Sequence, residues 1–232
     1  MLLLLQRTII SILNNKANCM HFIPVALTNK QELCIDTYEL TFSLPETCEY
    51  ACSPGQYIWL ILGQLNVVDT KGNRRAFSFS SVTPKEKTFS IIFRRGSSEY
   101  KKHLLSLPLG AALHITPPVG ENFVVRDIPD KHIVFIAGGV GITPFLFFLR
   151  SGKQTQSASK KLIFINHNHD RAFLLEEIDT LSKQQSIEFT PHFGSFESTL
   201  IDQEKIEKSF FYISGSHSFV QKVYKDLASL GV

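Results

Sequence analysis

From His132 to Arg150 the chain reads HIVFIAGGVGITPFLFFLR, and this stretch limits what the protein can fold into. Ile133–Ile136 is a short, β-rich apolar run that stops at a glycine cluster. Thr143-Pro144 then opens a second apolar run in which Phe145, Phe148 and Leu149 recur at helical spacing. The pattern is strand, glycine turn, helix. Gly138, Gly139 and Gly141 reach backbone angles closed to other residues and place no Cβ between turn and ligand, so amide groups can approach a phosphate. Thr143 is expected to cap the helix, with Pro144 at the first helical position. The common G-x-G-x-x-G fingerprint would need glycine at position 144, where this chain has proline. A glycine cluster also serves plain tight packing, so the rest of the chain decides its meaning.

The 232 residues suffice for one large domain or two ordinary ones, and 44% hydrophobic content can fill real cores. A net charge of +3, spread along the chain, argues against nucleic acid as a partner. The cysteines, Cys19, Cys34, Cys48 and Cys52, match neither the C-x₂-C pairing of a zinc site nor the run of a plant-type iron–sulfur cluster. They read as free thiols in a reducing, cytoplasmic setting. Met1–Leu13 is apolar yet too short to span a bilayer, and no small-residue cleavage site precedes Cys19. Residues 1–20 are therefore expected as a leader outside the fold, in preference to a membrane-contacting helix over 1–19.

Between His21 and Val125 short β-rich runs alternate with turn residues. Strands are expected at His21–Leu27, Cys34–Leu44, Tyr57–Leu62, Arg75–Ser80, Thr88–Phe93 and Ala112–Thr116, and a helix at Ser98–Leu107. Six strands at this spacing predict a small antiparallel β-barrel over 21–127. Gly96, Ser97 and Ser98 ahead of the helix make a second potential anion site. After Asp130 the pattern alternates: strands at 132–137, 161–166, 186–190 and 210–214, helices at 144–150, 172–183 and 216–229, and a surface connection at Ser151–Lys160. This predicts an α/β domain with a parallel sheet over 131–232.

Several motifs in order carry a family resemblance. Arg75-Ala76-Phe77-Ser78 resembles the R-x-[YF]-S flavin motif of the ferredoxin–NADP reductase superfamily, Gly138-Gly139-Val140-Gly141-Ile142-Thr143-Pro144 its G-G-x-G-x-T-P nicotinamide motif, and Tyr212-Ile213-Ser214-Gly215 its Y-x-C-G. Pro54-Gly55-Gln56-Tyr57, the Asp69–Arg75 lead-in, Ser98–Lys102 and Pro118-Val119-Gly120 match in smaller ways, so the likeness covers about residues 22–232.

The resemblance implies an oxidoreductase that passes electrons from NADH or NADPH through FAD to a redox partner such as ferredoxin or flavodoxin. By the same likeness Arg75 clamps the FAD diphosphate, with Gly96–Ser98 on its other side. Phe77, flanked by Ala76, stacks on the flavin while Ser78 bonds its reactive edge, and Phe93 adjoins. Gly138, Gly139, Gly141, Ile142, Thr143, Pro144 and Gly215 belong to the nicotinamide side. Ser78 and Ser214 are the candidate catalytic residues. No metal is expected, since His167 and His169 lack carboxylate or cysteine companions at ligand spacing.

The departures set further expectations. Ser214 stands where relatives carry cysteine and Ser216 where they carry proline, and the chain ends at Gly231-Val232, where relatives continue into a final strand and a tail. These features keep a second reading open, a degenerate flavin- or nucleotide-binding module with a regulatory or partner-binding role. Phe164–His169 lacks the cation that would hold the 2′-phosphate of NADPH, so NADH is expected to serve at least as well. Lys71, Arg74, Lys85, Lys87, Arg94, Lys101 and Lys102 are expected to form a basic docking face for an acidic partner.

Overall fold

The computed structural model describes residues 22–63, 72–121 and 123–232. The expected leader, Cys19, Asp69, Thr70 and Lys71 lie outside the described residues. Strands β1 (Ile23–Cys34), β2 (Thr37–Ser43), β3 (Tyr57–Ile61), β4 (Arg74–Thr83), β5 (Thr88–Arg94) and β6 (Ala112–Ile115) close into a barrel in the order β1-β2-β5-β4-β3-β6. All six pairings are antiparallel, and closure leaves the barrel without a free edge. Alternation does the sorting: on β3 Ile58 and Leu60 point inward and are fully buried, meeting Phe42, Phe79 and Phe89. Helix α1 (Glu99–Ser106) follows β5 and buries Tyr100 and Leu104.

Strand β1 is longer than its hydrophobic pattern. The polar stretch 28–33 lies between two expected strands, yet its Asn29, Lys30 and Gln31 pair with Thr41, Leu40 and Glu39 of β2. Main-chain hydrogen bonding extends the hairpin without apolar alternation, and Asp36, at φ +59°, makes its turn.

The second half supplies β7 (Ile128–Gly138), α2 (Thr143–Ser151), β8 (Ser157–Asn166), α3 (Leu175–Gln184), β9 (Ile187–Phe193), β10 (Ser209–Ser214) and α4 (His217–Ala228). The sheet is parallel, in the order β10-β7-β8-β9. β7 is apolar on both faces because both are covered: Ile133 and Phe135 pack with α2, while Val134 and Ile136 pack with Val223 and Leu227 of α4. The expected surface connection at 151–160 is shorter than anticipated, since Ser157–Lys160 begin β8 and Ile128 pairs with Ser157. The strand order runs from β7 outward through β8 to β9 and then reverses to place β10 on the other side of β7. This creates a switch point at the carboxyl ends of β7 and β10, where sheets of this kind bind ligands.

The two halves share cores. Phe147 of α2 sits in the barrel cluster at 4% exposure, its ring 6.1 Å from that of Phe79. Ile92 of β5 is buried in the α/β cluster.

Candidate functional site

At the β7/β10 switch point a cleft of about 440 Å³ lies between barrel and sheet. One wall is Arg75–Ser78 of β4 with Phe93 and Lys101; the other is Gly141, Thr143 and Pro144, with Ser214–Ser216 between them. The flavin-motif residues, the nicotinamide-motif residues and the end of β10 are thus brought together from three distant parts of the chain.

Alternation along β4 gives its residues different surroundings. Ala76 is exposed and Ser78 half-buried, whereas Phe77 is 7% exposed, with its ring 5.5 Å from Phe93 and 6.3 Å from Tyr100. The Arg75 guanidinium lies 4.8 Å from the centroid of Tyr100 and donates to the carbonyls of Gly72 and Arg74 at 2.9 and 2.7 Å. Tyr100 is fully buried and donates its hydroxyl to Leu60 at 2.7 Å. Burial pushes the Tyr100 phenol well above its ordinary range, so the ring remains a neutral platform under the arginine. Sequence reasoning did not single out Tyr100; the helical phase of Ser98–Leu107 held the signal, because it turns Tyr100 and Leu104 to one face.

Ser98 occupies the N-cap position of α1, but its hydroxyl makes no capping bond and is buried without a partner. Gly96, at φ +57°, has open space where a Cβ would stand, and Ser97 is exposed. The helix start therefore retains donors for an anion, with Glu99 drawn aside toward Lys102 at 2.7 Å.

The glycine turn differs from expectation in one respect. Gly139–Ile142 form a 3₁₀ turn, α2 already includes Thr143, and Ile142 is the cap residue. The Thr143 hydroxyl donates to the Val140 carbonyl at 2.7 Å instead of accepting a helix amide, because the preceding turn already orders the chain there. Ile142 is fully buried in the α/β core and does not line the cleft. A Cβ on Gly141 would stand 2.3 Å from the Ser214 carbonyl oxygen, and one on Gly138 or Gly215 would meet the Phe219 ring at 2.8 or 2.5 Å. These three glycines let the turn, β10 and α4 pack against one another. Gly139 is different: it sits at φ +52°, and its nearest neighbour would be Arg94 Nη2 at 3.9 Å. Ser216, not Ser214, caps α4, accepting from the Phe219 amide at 3.3 Å, which leaves Ser214 in the cleft wall.

A second cleft of about 410 Å³ continues from the same turn. It is bounded by Gly138–Val140, by Ile165–His167 at the end of β8, by Gly194–Phe196, and by Phe219 and Lys222 of α4. Arg94 reaches it from the barrel: its Nε donates to Thr37 at 3.4 Å, and its Nη2 is buried without a partner. Asn166 is 3% exposed with both amide atoms unpaired. Buried polar groups are normally hydrogen-bonded, so these orphans suit a phosphorylated, hydroxyl-bearing ligand. Lys222 also lines this cleft, held by Asp226 at 2.7 Å and the Phe196 carbonyl at 3.3 Å. Lys222 lies on α4, far along the chain from the Phe164–His169 segment that lacks a cation. His167 borders the cleft, whereas the His169 ring stacks on Phe193 at 3.7 Å. Among the described residues no cluster of histidine, cysteine and carboxylates has metal-binding geometry.

The proposed basic face is partly committed elsewhere. Lys87 donates to the Cys48 carbonyl, Lys101 to that of Arg94, and Lys102 pairs with Glu99, while the Arg74 guanidinium lies 5.2 Å from the Trp59 ring centroid. No helix among the described residues is long and apolar enough to cross a membrane.

Comparison with known proteins adds independent findings. Residues 135–225 match the model of the oxidoreductase NAD-binding domain family. NADH-cytochrome b5 reductase 2 of Xenopus laevis is 30% identical over 200 residues, covering 72% of this chain and 64% of that protein. Nitrate reductase [NADH] of Solanum lycopersicum is 27% identical over 184 residues, covering 70% of this chain and 20% of that protein. This chain thus spans between a fifth and about two thirds of these relatives. The CS-b5R domains of human Ncb5or in the NAD⁺ form superpose with a TM-score of 0.75 at 17% identity, over 94% of this chain and 68% of that one, and so share its fold. With a closed six-stranded barrel, a parallel sheet in the order β10-β7-β8-β9 and the motifs converging where the two meet, the chain has the fold of the ferredoxin–NADP reductase superfamily, and its residues 135–225 match the oxidoreductase NAD-binding domain family.

Proposed function

We propose that this protein takes electrons from NADH or NADPH into a bound FAD and passes them singly to a separate redox protein of the ferredoxin or flavodoxin kind, in the reducing environment of the cytoplasm. The observation that carries this reading is the shared cleft: Arg75–Ser78, then Gly141, Thr143 and Pro144, and Ser214–Gly215 line one space, so a flavin on the barrel wall and a nicotinamide on the sheet edge would meet face to face. FAD supplies the conversion between two-electron and one-electron chemistry when bound. The chain's own residues have separable tasks. Arg75, levelled on Tyr100, and the unspent Ser98 hydroxyl hold the flavin diphosphate from two sides. Phe77 backs the ring system and Ser78 presents a hydroxyl to its edge. Arg94 and Asn166, with their unpaired polar atoms, hold the diphosphate and sugar of the nicotinamide coenzyme along the second cleft. Pro144 and Ser214 then confine the nicotinamide ring in the first.

The test is the absorption spectrum of the purified protein before and after anaerobic NADH, followed by addition of an oxidised ferredoxin or flavodoxin. Yellow protein that bleaches and then reoxidises supports the reading. Protein that neither carries nor takes up FAD refutes it, and protein that binds FAD but is bleached by neither coenzyme instead supports a flavin-binding module without hydride transfer.

A further inference from the structure

Helix α2 starts at the cleft with Thr143-Pro144 and two turns later, in its last turn, carries Arg150, where it meets the barrel again. The Arg150 side chain is 19% exposed and divides its guanidinium between the two halves of the molecule. Nη1 donates to Glu39 Oε1 of β2 at 2.6 Å, while Nε and Nη2 form a fork on the two carboxylate oxygens of Glu177 in α3, at 2.7 and 3.1 Å. Glu39 Oε1 also accepts the Ser80 hydroxyl at 2.7 Å, and Glu39 is itself only 13% exposed. Ser80 lies on β4 two residues beyond Ser78, and Phe79 between them touches Phe147 of α2. Burial draws the Arg150 pKa down, but its hydrogen bonds to Glu177 and Glu39 prevail and raise it, so the guanidinium stays charged. The strand carrying the flavin motif and the helix carrying the nicotinamide motif are thus fastened to each other behind the cleft by a part-buried ionic latch with an apolar pin beside it.

We propose that Arg150 and Glu39 are positioning residues for the reaction: the latch fixes the separation between β4 and α2, and with it the distance between the two rings in the cleft. The inference rests on the function proposed above. Neither residue lines either cleft, so neither acts by touching coenzyme or flavin. An ion pair suits this task better than apolar contact alone, because the fork on Glu177 fixes the direction of the guanidinium and the Glu39 oxygen shared with Ser80 fixes its distance from the barrel, whereas ring packing permits sliding.

The test compares wild type with Arg150→Met, which keeps the apolar stem, with Arg150→Lys, and with Glu39→Gln, which keeps shape without charge. Anaerobic stopped flow gives the rate of flavin reduction at saturating NADH, the coenzyme concentration at half-maximal rate, and the long-wavelength charge-transfer absorbance that reports ring stacking. Hydrogen–deuterium exchange of FAD-free protein over residues 76–82 and 143–150 reports the latch without any reaction. Misplacement by about 1 Å can cost about 10²-fold in rate, so Arg150→Met is expected to slow reduction at least tenfold. Its half-saturating coenzyme concentration should hold, charge-transfer absorbance should weaken, and exchange should rise in both segments. Arg150→Lys should recover part of the rate. If Arg150→Met does not fold, Glu39→Gln carries the same expectations with a smaller loss. Wild-type protein bound to FAD but reduced by neither coenzyme would overturn the function and this inference together. Reduction of wild type, Arg150→Met and Glu39→Gln at equal rates would overturn the latch alone. So would a loss confined to thermal stability and coenzyme affinity, with the saturated rate and charge-transfer absorbance unchanged.

Discussion

Gly141→Ala isolates the packing between the nucleotide turn and β10. The backbone at Gly141 is not in the left-handed region, so alanine brings no conformational strain, and the new methyl group would stand 2.3 Å from the Ser214 carbonyl oxygen, 2.5 Å from its carbon and 2.6 Å from Gly215 Cα. All three are backbone atoms, and no rotamer change can move them aside. Reaching ordinary contact near 3.4 Å requires the turn and the 214–215 segment to separate by about 1 Å. Overpacking of this kind costs about 1–3 kcal/mol. At about 2–4 °C per kcal/mol for a protein of this size, Tm should fall by about 2–12 °C. Both displaced segments line the cleft, so the larger effect falls on the reaction: the rate of flavin reduction by NADH in anaerobic stopped flow should drop about 10²-fold. Bound FAD should be retained, because Arg75 and Ser98 lie on the barrel side. Gly139→Ala is the control: at φ +52° it brings about 1–2 kcal/mol of backbone strain, but its Cβ meets nothing nearer than 3.9 Å, so β10 stays in place. A Gly141→Ala protein with unchanged Tm and unchanged reduction rate would refute the reasoning.

Three further outcomes are expected. Ser214→Cys should raise the rate of flavin reduction by NADH in stopped flow, with FAD affinity unchanged, because the larger, more polarizable thiol takes up slack at the cleft wall; an equal or lower rate would mean the serine already suits its place. Lys222→Ala should raise KM for NADPH more than for NADH, since Lys222 is the cation α4 brings to the second cleft, and steady-state kinetics with both coenzymes would show it; equal changes would place the 2′-phosphate elsewhere. Burial pushes the Cys52 thiol up to about 12 from 9.0, so folded protein should resist iodoacetamide at Cys52 at pH 8–9. The sign of the linkage follows: the thiol is neutral in both states below pH 9, whereas between about 9 and 12 only the unfolded state ionises, so stability falls as pH rises through that window. Mass spectrometry after brief alkylation and urea melts at pH 8 and 10.5 check the two halves.

The elements that define the fold were legible because hydrophobic pattern and turn chemistry agreed along them. β7 with its glycine turn and α2 announced themselves through a β-rich run followed by helical spacing; α2 stands within a residue of its expected bounds, while β7 covers the expected 132–137 and begins four residues earlier, at Ile128. The parts that went unread depend on partners distant in sequence. Polar residues 28–33 are strand because β2 lies alongside, and Ser157–Lys160 because Ile128 does. Motif matching gathered Arg75, Ser78, Gly141 and Ser214 at one cleft, but it gave no account of what supports them. Tyr100 beneath Arg75, Arg94 reaching across to Gly139, and Lys222 on α4 belong to no short motif, and only the closed barrel and the switch in strand order bring them in. The Thr143 cap was misjudged for a local reason, since the 3₁₀ turn ahead of it moved the helix start.

Phe147 gives this architecture a limited divisibility. A helix counted with the sheet completes the barrel's interior, and a barrel strand returns the favour through Ile92. Cutting the chain near residue 130 would unplug one half and strip a lid from the other, leaving an aromatic-sized hole among Phe79, Phe89 and their neighbours. Holes of that kind cost about 3–5 kcal/mol, a large share of what a lone barrel of this length holds in reserve. Exchanging halves between relatives therefore has a compatibility condition unrelated to coenzyme or flavin: the incoming helix must bring a side chain that fits the resident barrel.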